Sequence, residues 1–178
     1  MAEIPLRFIS NLKDKRLIRL IKQVWRHLPA YDRHILRDLV AEVIDDVPQE
    51  EGVIGSSSPG YSEMPTEGFF VSESFDYIVN LTKIKDVASD AACKYIIAHE
   101  FAHVVLRHSH ISHTINYLAG FQPPLGYAKA DVAALNECHE DSAAFLVYVW
   151  GFHDEIRASM KAFPESRRPR WYIEFKEE

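Results

Sequence analysis

The tightest constraint on this chain is the run Tyr95-Ile96-Ile97-Ala98-His99-Glu100-Phe101-Ala102-His103-Val104-Val105-Leu106. Drawn on a helix it is apolar on almost every side, so it must be buried on almost every side. Yet two imidazoles and a carboxyl stand in its middle, and burying such groups without partners costs several kcal/mol. The fold therefore has to bring them partners. His99 and His103 are four apart, so they face the same way one turn apart. At that spacing both rings can reach a single ion about 2.1 Å from each nitrogen. Glu100 is rotated about 100° from His99, which lets it flank such an ion without ligating it.

His-Glu-x-x-His is the spacing of zinc hydrolases, in which the glutamate is the general base toward a metal-activated water. On this reading Zn2+ is the cofactor, His99 and His103 are ligands, and Glu100 is catalytic. A catalytic zinc needs a third protein ligand. Metzincins supply a histidine six residues after the second one, where this chain has Ser109 and no intervening glycine. His108, His110 and His113 follow the expected end of the helix and read as solvated groups or as neighbours of ligands. The second apolar helix, expected over residues 131–150 with Asp131 as its N-cap, is the better source. Glu137 and Asp141 stand four apart there, on one face with Ala133 and Ala144. Glu137 is the expected third ligand, with Asp141 one turn on holding a zinc histidine by its other ring nitrogen. Glu140 and His139 are the alternatives. Tyr117, Tyr127, Tyr148 and His113 are all eligible to stabilise an oxyanion.

The remainder divides by period and composition. Apolar positions from Leu17 to Leu28 and from Ile35 to Ile44 repeat every three to four residues, with Pro29 between, and predict a helical pair. Nine Lys/Arg stand against two Asp from Arg7 to Arg37. This basic set reads as a solvated face or as a docking surface. Residues 48–68 are rich in Gly, Ser and Pro and predict a flexible loop. From Phe69 to Leu81 the apolar period becomes two, predicting short strands at 69–72 and 75–82. If the latter is an edge strand it can take an extended peptide by strand addition. A last strand is expected at 171–175. The fold class is thus α+β: a small zincin-like sheet packed on the His-Glu-x-x-His helix and a second core helix. A helical N-terminal extension over residues 1–47, the loop over 48–68 and a metallopeptidase-like unit over 69–178 complete it.

Composition narrows the function classes. The chain has 178 residues, 47% apolar and 26% charged, as in an ordinary globular domain. A net charge of −6 argues against nucleic acid as the partner. No stretch approaches the 18 apolar residues of a membrane span, so no membrane partner is expected. Two cysteines outside any C-x-x-C pair, and no signal-peptide layout at the N-terminus, predict a reducing, cytoplasmic setting.

The His99–His103 pattern followed by Glu-x-x-x-Asp at Glu137–Asp141 resembles the gluzincins. More closely it resembles the ImmA/IrrE-type group of small intracellular metallopeptidases. Three segments carry the likeness: Asp76 to Leu81, Ile97 to His108, and Glu137 to Phe145. The resemblance implies a zinc-dependent endopeptidase acting on a protein or peptide substrate. Departures are the N-terminal helical pair, the Glu140-Asp141 pair, and the lack of a helix-turn-helix domain. A non-catalytic zinc-bearing regulatory module, working through its basic N-terminal helices, is the alternative. Zinc hydrolysis of a non-peptide substrate is a third reading.

Overall fold

The structure is a computed structural model that describes residues 3–46, 56–59, 77–108, 111 and 129–163. Among them are five α-helices and three strands. In chain order these are α1 (Lys15–His27), α2 (Ala30–Leu39), β1 (Val40–Ile44), β2 (Ser56–Pro59), β3 (Tyr77–Asn80), α3 (Asp90–Val105), α4 (Lys129–Val149) and α5 (His153–Ala162). The architecture is mixed α+β and mostly helical. No helix among the described residues is long and apolar enough to cross a membrane.

Helix α3 sits at the centre because it has no polar face to give to solvent. Ala92, Cys93, Ile96, Ile97, Ala98, Phe101, Ala102 and Val104 are all buried. Helices α1, α2, α4 and α5 and strands β2 and β3 all pack on it. From α1 come Leu17, Leu20, Ile21, Val24 and Trp25, one apolar stripe at helical spacing. Phe8 stands edge-on to Trp25 at 5.5 Å and reaches Phe101 at 6.2 Å, which closes one end of the core. The start of α3 is capped by Ser89, whose hydroxyl accepts from the Ala92 N–H at 3.2 Å.

The N-terminal segment departs from the expected helical pair. The second helix ends at Leu39, and Val40–Ile44 is a strand paired in parallel with β3. The register slips between Val40 and Glu42, so Ala41 is an extra residue. That bulge puts Val40 and Val43, three apart, opposite Tyr77 and Val79, and both are buried. A bulged strand thus reproduces the three-residue spacing of a helix, and the β-branched side chains decide for strand.

The sheet order is β1-β3-β2, with β2 antiparallel to β3. Two corrections follow. Part of the expected loop is strand β2, an edge position that tolerates Pro59 at its end. Strand β3 is central and paired on both sides, so strand addition to it, expected for an edge, is closed off. Asn80 ends β3 by accepting from the Thr82 N–H and hydroxyl at 3.0 and 2.7 Å. Helix α4 begins at Lys129, so Asp131 lies in its first turn rather than at the cap, Lys129 and Ala130 being helix formers themselves. The strands expected at 69–72 and 171–175 lie outside the described residues.

Part of the basic N-terminal set is used internally. The Arg16 guanidinium donates to Asp90 at 2.6 Å and to the carbonyls of Val87 and Ala88 at 2.9 and 3.0 Å. Arg19 meets the other Asp90 oxygen at 2.6 Å. Two arginines of α1 therefore fasten the turn that launches α3. Arg16→Ala is expected to lower stability by about 1–2 kcal/mol, with three charge-assisted bonds lost from a half-buried site. Chemical denaturation read by far-UV circular dichroism checks it.

Candidate metal centre

On α3 the His99 and His103 rings lie edge to face at 4.6 Å, with their Nε2 atoms 3.0 Å apart. Helix α4 brings a carboxylate to the same point. Glu140 Oε2 is 3.0 Å from His99 Nε2, and Oε1 is 3.5 Å from His103 Nε2. His99, His103 and Glu140 form a group that can hold a metal ion. Three donors about 2.1 Å from a tetrahedral ion stand roughly 3.4 Å from one another, and the separations here bracket that spacing. Two imidazoles and one carboxylate are also the donor chemistry of a borderline-soft divalent metal. Burial alone would raise the Glu140 pKa. The hydrogen bonds from His103 and His99, and their charge, outweigh it and hold the carboxyl well below the usual range.

Helix α4 turns its four polar candidates in different directions. Glu140 faces the two histidines, while Glu137 lies exposed one turn earlier and is not in their group. Asp141 is half-buried, and its charge is felt at the Tyr95 phenol. His139 is buried and stacks flat on His108, the rings 4.2 Å apart and 4° from parallel. Glu100 is buried on α3 beside His99. Tyr117, Tyr127, His110 and His113 lie outside the described residues. Tyr148 stacks on His153 at 4.5 Å.

Three residues that the sequence left in the background belong to this site. Tyr95, one turn before His99, holds its ring 5.5 Å from the His99 ring. Burial, then the charges of Glu140, Glu100 and Asp141, push its pKa above the ordinary phenol value, so it keeps its proton. His108 is buried, with its Nδ1 2.9 Å from the Nδ1 of His103. Burial, aided by His103 and His139, lowers its pKa to about 3. Ser142 of α4 places its Oγ 3.2 Å from His108 Nε2. The four-residue step from His99 back to Tyr95 was visible in the sequence. His108, expected as a solvated group or a neighbour of the ligands, stands against His103, a placement that depends on one backbone angle.

That angle is at Arg107, the one non-glycine residue with positive φ among those described, at +56°. The Leu106 N–H still donates to Ala102 at 2.9 Å, and then Arg107 turns left-handed with its N–H on Val104 at 3.0 Å. A left-handed residue after the last helical turn is the usual way to end a helix, normally with glycine. Here it swings His108 back beneath His103.

Comparison with family models, with curated proteins and with solved structures finds no match to this chain.

Arg107→Gly is expected to raise stability by about 0.5–1 kcal/mol, since glycine relieves the left-handed cost and keeps the turn. Arg107→Val should lower it, and thermal melts of the pair against wild type check both.

Proposed function

We propose that this chain is a zinc-dependent endopeptidase, with His99, His103 and Glu140 holding the ion and Glu100 acting as general base. The observation that carries the proposal is the convergence of two imidazole nitrogens and one carboxylate, from two different helices, at donor separations of 3.0 to 3.5 Å. What favours hydrolysis over a purely structural ion is Glu100, a buried carboxylate beside His99 that is not part of the ligand group. The peptide class of substrate is supported by the resemblance to the gluzincins and the ImmA/IrrE-type enzymes.

When bound, zinc supplies Lewis acidity, polarising a carbonyl and making water acidic enough to react near neutral pH. The side chains supply the rest. Glu100 takes a proton at its carboxylate and returns it to the departing amine. Its burial limits competition from bulk water for that proton. Tyr95 retains its phenolic proton and offers a hydrogen bond without adding charge. Glu140 stays ionised and contributes one negative charge to the ligand group.

Elemental analysis of the purified full chain should find about one zinc per molecule, lost in His103→Ala. Glu100→Gln should retain the zinc and lose hydrolysis of casein or a peptide library by about 10²–10⁴-fold, the usual worth of a general base. Glu140→Ala should weaken zinc retention roughly 100-fold or more, and Glu137→Ala far less. Chelator competition measures both. A chain that holds no zinc and takes none up sinks the proposal, and the reverse order of the two glutamates moves the third ligand to Glu137.

A further inference from the structure

We infer that the exposed face of α1 is a docking surface for an acidic helical segment of a partner protein. The inference goes beyond the metal-site reading and needs no ion.

Helical period builds the face. Lys15, Arg19, Lys22 and Arg26 lie within about 60° of one another on an ideal helix and run about 16 Å along its axis. Leu17, Leu20, Ile21 and Val24 take the opposite side and are buried. With Ile18 and Gln23 the four cations line a shallow groove of about 360 Å³. Ile18, half-buried against the core, is its apolar part.

Other cations of the N-terminal region have partners. Lys13 meets Asp46 at 3.0 Å, Arg16 meets Asp90 at 2.6 Å, and Arg33 donates to the Leu28 carbonyl at 2.6 Å. Lys15, Lys22 and Arg26 make no ion pair among the described residues. Two acids are bonded to α1, both toward its N-terminal half. Asp14 caps the helix, accepting from the Arg16 N–H at 2.7 Å. Asp90 is a single carboxylate shared by Arg16 and Arg19, which leaves one positive charge over.

A face that only meets water has no need of this pattern. Helix faces gain when opposite charges stand three or four residues apart, and like charges at that spacing destabilise. The stripe sets like charges at every such step, from Lys15 to Arg19, Arg19 to Lys22 and Lys22 to Arg26. Lys15 and Arg16 also stand in the first turn, with no acid among its residues, against the helix dipole. An anionic partner removes both costs.

The same features select the class of partner. Carboxylates on an acidic helix repeat at the same one-turn spacing, so they can meet the four cations in register. An apolar residue between them can meet Ile18. No aromatic ring lines the groove to stack on unpaired bases. The net charge of −6 repels a long polyanion beyond the contact itself. A single half-buried isoleucine is too little apolar surface to enter a bilayer.

Fluorescence anisotropy of the full chain with a labelled synthetic peptide tests the inference. The peptide has about fifteen residues, enough to span the stripe, with glutamates at one-turn spacing beside a leucine. We expect binding that weakens as salt rises and is lost when glutamine replaces glutamate. Lys22→Glu with Arg26→Glu should weaken it about 10-fold or more, because reversal turns attraction into repulsion. Arg157→Glu with Lys161→Glu, the same change in net charge at exposed positions of α5, should leave it within about twofold. If the α1 reversal does not fold by circular dichroism, Lys22→Gln with Arg26→Gln takes its place, with an expected loss of about threefold or more. Chelator treatment should leave binding unchanged, so failure of the metal reading does not touch this result. A peptide that does not bind, or equal losses on α1 and α5, overturns the inference. Tighter binding of duplex DNA or of phosphatidylserine vesicles through Lys22 and Arg26 also overturns it, in favour of a nucleic acid or a membrane.

Discussion

A helix without a solvent side that nonetheless carries ionisable groups is the condition everything else here satisfies. α3 is covered from several directions, and each cover has a second task. α1 supplies apolar mass and also the two arginines that hold Asp90 at its start. α5 supplies Ile156 and also Glu155, whose carboxylate meets Lys94 of α3 at 2.6 Å. α4 supplies Ala143 and Val147 and also Glu140 and Ser142. The small side chain of Ala143 keeps α4 close enough for the two polar residues to reach across. Core packing and polar satisfaction are thus performed by the same contacts, so weakening one weakens the other.

The polar groups are also graded by depth. His103 and His108 are buried, His99 is partly covered, and the Glu140 side chain is largely exposed. Of the carboxylates, Glu140 sits where water still reaches it, while Glu100 is buried on α3. For Glu140 that placement is the less costly one, because a buried charge is penalised far more than an exposed one. It also leaves the group open to solvent on the Glu140 side.

Much of this was readable in advance, for stated reasons. The central helix, its burial and the facing pair His99 and His103 follow from spacing alone, since helical period admits no other arrangement. That the second polar set would come from the helix around residue 140 also followed, because acidic residues among alanines need partners. Which residue of that helix would face inward did not follow. Glu137 and Glu140 differ by 60° of rotation on an ideal helix, and the rotation of α4 about its axis is set by packing on α3. β1 was hidden by its bulge, which turned an alternating pattern into a three-residue one. Helix α5 was unassigned in the sequence because its apolar stripe is thin and its start depends on Gly151, at φ +86°. The basic N-terminal cluster was legible as charge, but not as clamps on a turn more than seventy residues away.

The placement of α3 has a consequence for how the chain is made. Its covers come from both ends of the described fold, from Leu17 to Ile156. During synthesis the most apolar helix leaves the ribosome with α1 and α2 available to shelter one side, while α4 and α5 do not yet exist. For the time needed to add some fifty further residues, seconds at the usual elongation rate, its other side faces water. The nascent chain passes through a stage in which its stickiest segment is half covered. The polar group shared by α3 and α4 can assemble only once those later helices have been made.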